Sequence, residues 1–161
     1  MNIKQYLDST YLKTAAQAGL SVDENILVTK GFIQEAIEER FKLIMIRPDM
    51  VCLAKKMITE ANSTLQIGTV IDFPQGKSSL EEKLAEAIQA IQDGADDLDF
   101  VCNYEAFKNG NVDLVKEEMH LKYDDPRQRE LLRLCVHEPG SVASFISGEI
   151  FSIGTYREIF D

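Results

Sequence analysis

Short apolar segments that alternate with capped amphipathic helices constrain the fold of this chain more than any other feature. The segments "KLIMI" (42–46) and "LQIGTVIDF" (65–73) are rich in apolar residues, as expected of strands that are covered on both faces. Ser21 with Glu24, and Ser79 with Glu82, form capping boxes that mark the starts of two helices. Strands alternating with helices predict βα units and a parallel sheet, which is an α/β fold.

The apolar faces of two helical segments are predicted from the spacing of their residues. A helix that begins at Pro48 has Val51, Ala54 and Ile58 on one face. The helix after Ser79 has a longer stripe, made of Leu80, Leu84, Ala87, Ile88 and Ile91. Gly94 supplies its C-terminal stop. An extended segment from about 96 to 102 and a helical region from about 112 follow, and we expect the apolar faces to pack on the sheet.

Charge and composition exclude several classes of partner. The 161 residues carry a formal net charge of −10, and a nucleic-acid or anionic-membrane surface would need a basic patch. No run approaches 18 apolar residues, and the start "MNIKQYLDST" has no apolar signal segment. The three cysteines, Cys52, Cys102 and Cys135, are far apart and odd in number, which fits a reducing compartment. We therefore predict a cytoplasmic protein that binds neither nucleic acid nor membrane.

The stretch "DGADDLDFV" (93–101) holds the most informative candidate site residue, Asp99. Side chains on a strand alternate, so Asp97, Asp99 and Val101 share one face, opposite Leu98, Phe100 and Cys102. In a βα barrel the first set would face the interior near the carboxyl ends of the strands, where catalytic groups cluster. Asp99 is thus either a catalytic carboxylate or a structural cap near a strand end. Asp96 and Asp97 are interpreted as solvated loop residues or backbone caps.

Four stretches in register resemble the deoxyribose-phosphate aldolase family. They are "YLDSTYLK" (6–13), "LIMIRPDMVCLAKK" (43–56), "GTVIDFPQG" (68–76) and "EEKLAEAIQAIQDGADDLDFVCNYEAFKNGNVDLVKEE" (81–118). The last contains a sequence similar to the family's Gly-Ala-Asp-Glu-hydrophobic-Asp signature. The resemblance covers about residues 3–118, and its details are most similar to bacterial members of the flavobacterial type.

This resemblance implies a TIM barrel and a class I aldolase that needs no metal and no other cofactor. Such enzymes act in deoxyribonucleotide catabolism and cleave a small phosphorylated sugar, 2-deoxyribose 5-phosphate, to glyceraldehyde 3-phosphate and acetaldehyde through a lysine Schiff base. Asp99 matches the family's proton donor and acceptor. Asp8 and Thr10 match supporting polar residues of the first strand at the mouth of the active site. Two positions depart from the pattern, because Asp72 replaces a frequent glycine and Met45 a common cysteine.

The family's later motifs do not occur in these 161 residues. They include the Schiff-base lysine motif Lys-Thr/Ser-Ser-Thr-Gly-Phe and the second lysine that precedes Gly-Gly-Val-Arg. Lys13, Lys42 and Lys77 lie in or near the matched segments, and we expect Lys77 to be exposed and not to form a Schiff base. His120 and His137 are interpreted as surface or core residues, since their spacing suggests no zinc site and no catalytic triad.

The predicted organisation is therefore the N-terminal part of a TIM barrel, about four βα units over residues 1–118, with an unmatched, partly helical tail over 119–161. A complete barrel usually needs about 250 residues. A truncation or frameshift near residue 118 would explain the loss of resemblance. In the tail, Leu131, Leu132 and Val136 fall on one helical face that could cover a sheet edge.

Three functions remain open at this stage. The first is an aldolase that is inactive alone because its lysine is missing or supplied elsewhere. The second is a non-catalytic half-barrel that acts through self-association, as a homo-oligomer, or through a partner at its open sheet edge. The third is a general α/β module that binds phosphosugars, and the absence of a phosphate-binding loop counts against it.

Overall fold

The computed structural model describes residues 3–119 and 132–133. The strands are β1 (Asp8–Tyr11), β2 (Leu43–Ile46), β3 (Gln66–Ile71), β4 (Asp97–Phe100) and β5 (Leu132–Arg133). The helices are α1 (Ala15–Ala18), α2 (Val22–Glu39), α3 (Val51–Glu60), α4 (Leu80–Asp93), α5 (Tyr104–Lys108) and α6 (Val112–Met119), with 3-10 helices at Ile3–Tyr6 and Pro48–Met50. Within these ranges no helix combines the length and the apolar character that crossing a membrane requires.

All pairings in the sheet are parallel, and the strand order follows the sequence from β1 to β5. Each of the first four strands is followed by helical segments, so the predicted α/β architecture with four βα units is confirmed. One row of the ladder joins Thr10 to Met45, Met45 to Gly68, and Gly68 to Asp97. Residues joined in this way point to the same side of the sheet, and the register therefore decides which side chains share a face.

The predicted helix caps are present. The Ser21 hydroxyl accepts a hydrogen bond from the backbone N–H of Glu24, and the Glu24 carboxylate accepts one from the backbone N–H of Ser21. Ser79 and Glu82 repeat the arrangement at the start of α4. Two hydrogen bonds from Ser79 lower the pKa of the Glu82 carboxyl. The bond from the backbone N–H has the larger effect, and the bond from the hydroxyl has the smaller one. Gly94 ends α4 at φ 107°, in the region that favours glycine.

The main core lies between the sheet and the helices that follow its strands. It is built from alternate strand residues and one face of each helix, and the strand contribution is Ile44, Ile46, Ile67, Ile71, Leu98 and Phe100. The predicted face of α3, with Val51, Ala54 and Ile58, is buried against these residues. A smaller cluster of Leu43, Met45 and Val70 covers the other side of the sheet. The two clusters therefore separate a helix-facing side from an inner side.

The buried face of α4 differs from the predicted stripe. Ile88 is 40% exposed, whereas Lys83 is fully buried together with Ala87 and Ala90. At about 100° of rotation per residue, these three buried positions lie within about 60° of one another, and Ile88 lies about 140° from Lys83. The stripe prediction for Ile88 is wrong. The small side chains of Ala87 and Ala90 let α4 pack closely against the sheet with their face, and this orientation leaves Ile88 exposed.

The predicted tail helix is not found at Leu132. Leu132 and Arg133 form β5 and pair in parallel with Leu98 and Asp99 of β4. The outer edge of β4 offers unpaired backbone groups, and a strand can satisfy them whereas a helix cannot. Leu131 and Val136, the other members of the predicted helical face, lie outside the described residues, as does most of the 119–161 segment.

The loop between β3 and α4 presses directly on the chain that follows β4. Gly76 has φ 64°, and a Cβ atom at this position would lie 2.2 Å from the Cys102 carbonyl oxygen. Gly19 has a similar φ of 68°, but a Cβ there would have no heavy atom within 4 Å. The two glycines share the conformational requirement, and only Gly76 also needs the space of its missing side chain.

Replacing these two glycines by alanine separates the two effects. We expect Gly19→Ala to lower the free energy of unfolding by about 1–2 kcal/mol, because an L-residue is strained at positive φ. Gly76→Ala should cost about 1–3 kcal/mol more, since the clash is with backbone that cannot rotate away. Urea denaturation followed by circular dichroism measures both values. Equal losses would contradict the close approach.

Candidate functional site

The side chains of β4 alternate as the sequence predicts. Leu98 and Phe100 are buried against the helices, whereas Asp97 and Asp99 are half-buried on the inner side. Asp99 stands opposite Val70 of β3 and is the last residue but one of β4. The candidate proton-handling carboxylate therefore lies on the inner side, close to the carboxyl end of its strand.

Asp8 and Thr10 lie on β1, on the same side of the sheet as Asp97 and Asp99. Thr10 belongs to the ladder row that ends at Asp97, and both β1 side chains are exposed. Asp8 is the first residue of β1 and pairs with Leu43, at the amino end of β2. The structure thus brings all three predicted site residues to one side, with Asp8 two rows nearer the amino ends of the strands than Thr10. Their catalytic roles remain predictions.

Apolar side chains occupy the inner side between β1 and β4. Leu43, Met45 and Val70 are buried there, with Phe73 packed against them. Gly68 makes room for this cluster, because a Cβ at Gly68 would lie 2.6 Å from the Met45 methyl carbon. Asp99 consequently stands next to a buried apolar cluster through its ladder neighbour Val70.

The two aspartates before Asp99 have different roles. The Asp96 carboxylate accepts a hydrogen bond of 2.9 Å from the backbone N–H of Ile67, which confirms its interpretation as a backbone cap. Asp97 is the first residue of β4 and is half-buried. Of its two interpretations, the solvated loop residue is excluded, because the pairing with Gly68 makes Asp97 part of the strand, in agreement with the predicted extended segment from about 96 to 102.

A buried lysine that the sequence analysis did not single out lies beside the carboxyl ends of β3 and β4. The Lys83 ammonium donates hydrogen bonds to the carbonyl oxygens of Gly76, at 2.8 Å, and Val101, at 3.1 Å, and to the Glu118 carboxylate, at 2.7 Å. The Asp72 carboxylate lies 3.5 Å from the same nitrogen. We call Lys83, Asp72 and Glu118 the Lys83 cluster. The sequence gives one sign that Lys83 is buried, namely that it lies on the same face of α4 as Ala87 and Ala90.

The Asp72 substitution has a structural explanation. Asp72 has φ 56°, in the left-handed region that glycine adopts most easily and that Asp tolerates better than most residues. Its carboxylate accepts hydrogen bonds from the backbone N–H and the hydroxyl of Ser78, at 2.7 and 2.9 Å. Its backbone N–H donates to Glu86 of α4. Asp72 therefore fastens the β3–α4 loop and gives Lys83 a counter-charge.

Glu118 connects the Lys83 cluster to the segment after β4. One of its carboxylate oxygens accepts from Lys83, and the other accepts from the backbone N–H of Asn103 at 2.9 Å. The Asn103 side chain in turn caps α5 by accepting from the backbone N–H of Ala106. Helix α6, which carries Glu118, is thereby held against the carboxyl end of β4.

Cys102 lies next to the same group of charges. Burial raises the pKa of its thiol, the Glu118 carboxylate raises it further, and the Lys83 ammonium opposes the rise. Such a thiol is a poor nucleophile at neutral pH, because the thiolate is the reactive form. Cys102 therefore belongs to the packing around the Lys83 cluster, and Cys52 is exposed on α3.

None of the lysines considered from the sequence lies in a setting that would activate it. Lys13, Lys42 and Lys77 are exposed, which confirms the expectation for Lys77. Within the described residues Lys83 is the only buried lysine, and carbonyl and carboxylate oxygens surround its ammonium. A Schiff-base nucleophile needs an amine that is free to attack a carbonyl, whereas three oxygen acceptors already engage the Lys83 nitrogen.

Neither histidine can be placed, and no metal site is found in the described part. His120 and His137 lie outside the described residues. Over 3–119 and 132–133, no three or more His, Cys, Asp and Glu side chains are grouped so that they could hold a metal ion.

Known proteins that are similar to this chain in sequence and structure are aldolases. No family model matches the chain. A deoxyribose-phosphate aldolase of Thermococcus gammatolerans is 37% identical over 119 residues, which are 74% of this chain and 49% of that relative. A solved aldolase structure named QR15 is 29% identical with a TM-score of 0.62, and the match covers 74% of this chain and 48% of that one.

A second solved structure, the deoxyribose phosphate aldolase of Aeropyrum pernix, is described as a tetramer. It is 25% identical with a TM-score of 0.53, and the match covers 72% of this chain and 48% of that one. The chain thus spans about half the length of the relatives that it matches. Over its matched three quarters, this chain is a relative of the deoxyribose-phosphate aldolases and forms four βα units of a partial TIM barrel.

Proposed function

We propose that the described residues form the proton-handling part of an aldolase site, and that these 161 residues do not catalyse aldol cleavage alone. The observation that carries the proposal is the position of Asp99. It lies on the inner side of the sheet, at the carboxyl end of β4, in a chain that is related to deoxyribose-phosphate aldolases. Catalytic groups of TIM-barrel enzymes occupy this end of the strands.

The proposed chemistry assigns Asp99 a proton-transfer role. In a class I aldolase, a lysine amine adds to the substrate carbonyl to give a carbinolamine, which loses water to become a Schiff base. The departing hydroxyl must receive a proton, and a carboxylic acid at this point supplies it and later takes one back. The substrate would be a small phosphorylated sugar such as 2-deoxyribose 5-phosphate, with no metal and no other cofactor.

The nucleophile is the part of the site that the described residues do not supply. The Schiff-base lysine motif does not occur in the sequence. The candidates Lys13, Lys42 and Lys77 are exposed, and Lys83 is held by its oxygen neighbours. A complete site therefore needs a lysine from outside the described residues.

The proposed setting is the cytoplasm. Three widely spaced cysteines fit a reducing compartment, and a net charge of −10 argues against contacts with nucleic acid or an anionic membrane.

A second candidate function is a non-catalytic half-barrel that self-associates. Among the described residues, β1 pairs with β2 alone, so its outer edge has no strand partner there. The segment before it exposes the large apolar side chains of Ile3, Tyr6 and Leu7. An unpaired strand edge beside apolar side chains favours association with another chain. The tetrameric Aeropyrum pernix relative adds support for a homo-oligomer.

Borohydride trapping tests whether the chain alone forms a Schiff base. We expect no covalent adduct on any lysine after incubation with acetaldehyde or 2-deoxyribose 5-phosphate and reduction, as read by intact mass and peptide mapping. The full-length Thermococcus gammatolerans relative serves as the positive control. A single adduct on one lysine, lost in Asp99→Asn, would show a complete site and contradict the expected inactivity.

Complementation tests the role of Asp99 directly. The chain is co-expressed with the half of the Thermococcus gammatolerans aldolase that it does not match, and co-purified complex is assayed for cleavage of 2-deoxyribose 5-phosphate. We expect activity that falls about 100-fold or more in Asp99→Asn, as for the loss of a general acid–base group. Asp49→Asn is the matched control, since this carboxylate is exposed in the turn after β2. Equal activity of the two variants would argue against proton transfer by Asp99.

Light scattering after size-exclusion chromatography tests the self-association candidate. We expect Leu7→Ser to shift the chain towards monomer, because it removes an exposed apolar side chain beside the β1 edge. Leu27→Ser is the matched control, since Leu27 is also exposed but lies on α2. A monomeric parent protein, or the same effect from both substitutions, would remove the support for this candidate.

A further inference from the structure

The chain just after β4 has backbone groups that the sheet does not satisfy. The Val101 N–H still donates to the Ile71 carbonyl, which continues the ladder one step beyond the strand. The Val101 carbonyl instead accepts from Lys83, and so does the Gly76 carbonyl of the neighbouring loop. A buried carbonyl without a donor is destabilising. One ammonium group therefore joins the β3–α4 loop to the chain at the carboxyl end of β4.

Two carboxylates and an aromatic ring surround the remaining sides of the Lys83 ammonium. Glu118 and Asp72 contribute two carboxylates within 4.0 Å of Lys83, whose side chain is fully buried. The nitrogen also lies 5.4 Å from the centre of the Phe100 ring, within the range of a cation–π contact. With so many directional contacts, the ammonium has little freedom to shift.

We propose that Lys83 is a positioning residue that fixes the orientation of Asp99. Phe100 and Val101, which directly follow Asp99, both contact Lys83. Asn103 is fixed to Glu118, the ion-pair partner of Lys83. The importance of Asp99 for catalysis rests on the proposed function, whereas the hold of Lys83 on the end of β4 does not.

The geometry of a strand explains why Asp99 responds to contacts one and two residues later. Successive side chains point to opposite sides, so the contact of Phe100 with Lys83 on the helix side sets the tilt of the strand end, and with it the direction of Asp99 on the inner side. The ladder pairs of β4 with β3 end at Phe100. Beyond that point the Val101 N–H bond to Ile71 and the Lys83 cluster hold the segment.

The test measures the carboxyl carbon of Asp99 by NMR in protein labelled with ¹³C-aspartate, assigned with Asp99→Asn. The main variant is Lys83→Met with Glu118→Gln and Asp72→Asn, which removes all three charges of the Lys83 cluster and keeps an oxygen acceptor for the Asn103 N–H. Replacing a buried ion pair by neutral groups is better tolerated than removing one partner. Lys108→Met is the matched control, because Lys108 also lies over a ring, that of Tyr104, but is exposed.

We expect the Asp99 resonance and its titration midpoint to shift in the triple variant and to stay unchanged in Lys108→Met. The free energy of unfolding is measured in parallel, and the shift must appear at a pH where the variant is fully folded. If the triple variant does not fold, Lys83→Gln with Glu118→Gln and Asp72→Asn, which keeps an N–H donor for the two carbonyls without the charge, replaces it and should show a smaller shift. A folded variant whose Asp99 resonance and midpoint match those of the parent would overturn the proposal. Because no substrate is present, a failed complementation assay does not affect this result.

Discussion

The parallel backbone ladder from β1 to β4 is the constraint on which the rest of the structure depends. Its register puts Thr10, Met45, Gly68 and Asp97 in one row and Val70 opposite Asp99, so every strand contributes alternate residues to the same two sides. The helix-facing side forms the main core, and the inner side combines a small apolar cluster with the candidate carboxylates. A shift of one residue in any pair would exchange these sides, which is why core and site are fixed together.

The Lys83 cluster also stabilises the segments that follow β3 and β4, beyond the hydrogen bonds of the sheet. Hydrogen bonds within the ladder stop at the strand ends, and the loops that follow must satisfy their own backbone groups. Lys83 supplies donors to two of these carbonyls, while Asp72 and Glu118 balance its charge and hold the β3–α4 loop and α6. Removing Lys83 would leave two carboxylates without their counter-charge, which is the costliest way to disturb such a group.

The relationship to deoxyribose-phosphate aldolases and the geometry of the site are two different kinds of evidence for the proposed function. Sequence identity covers the four βα units and about half of the relatives' length. The structure adds that Asp99 is at the carboxyl end of β4, and that the described lysines are either exposed or engaged. Together they support the proposed aldolase site, in which proton handling and the amine nucleophile would belong to different segments.

Local chemistry in the sequence determined the element types, the helix caps and the alternation on β4, because these depend on neighbours within four residues. The capping boxes at Ser21 and Ser79, the stop at Gly94 and the sides taken by Leu98 and Asp99 all followed from such patterns. Only the tertiary structure decided that Ile88 is exposed while Lys83 is buried, and that Leu132 joins the sheet. Both depend on partners distant in sequence: two carbonyls and two carboxylates for Lys83, and the edge of β4 for Leu132. Whether such a residue is buried, and which element it joins, depends on the partners that the fold brings to it. Those partners are absent from its local sequence.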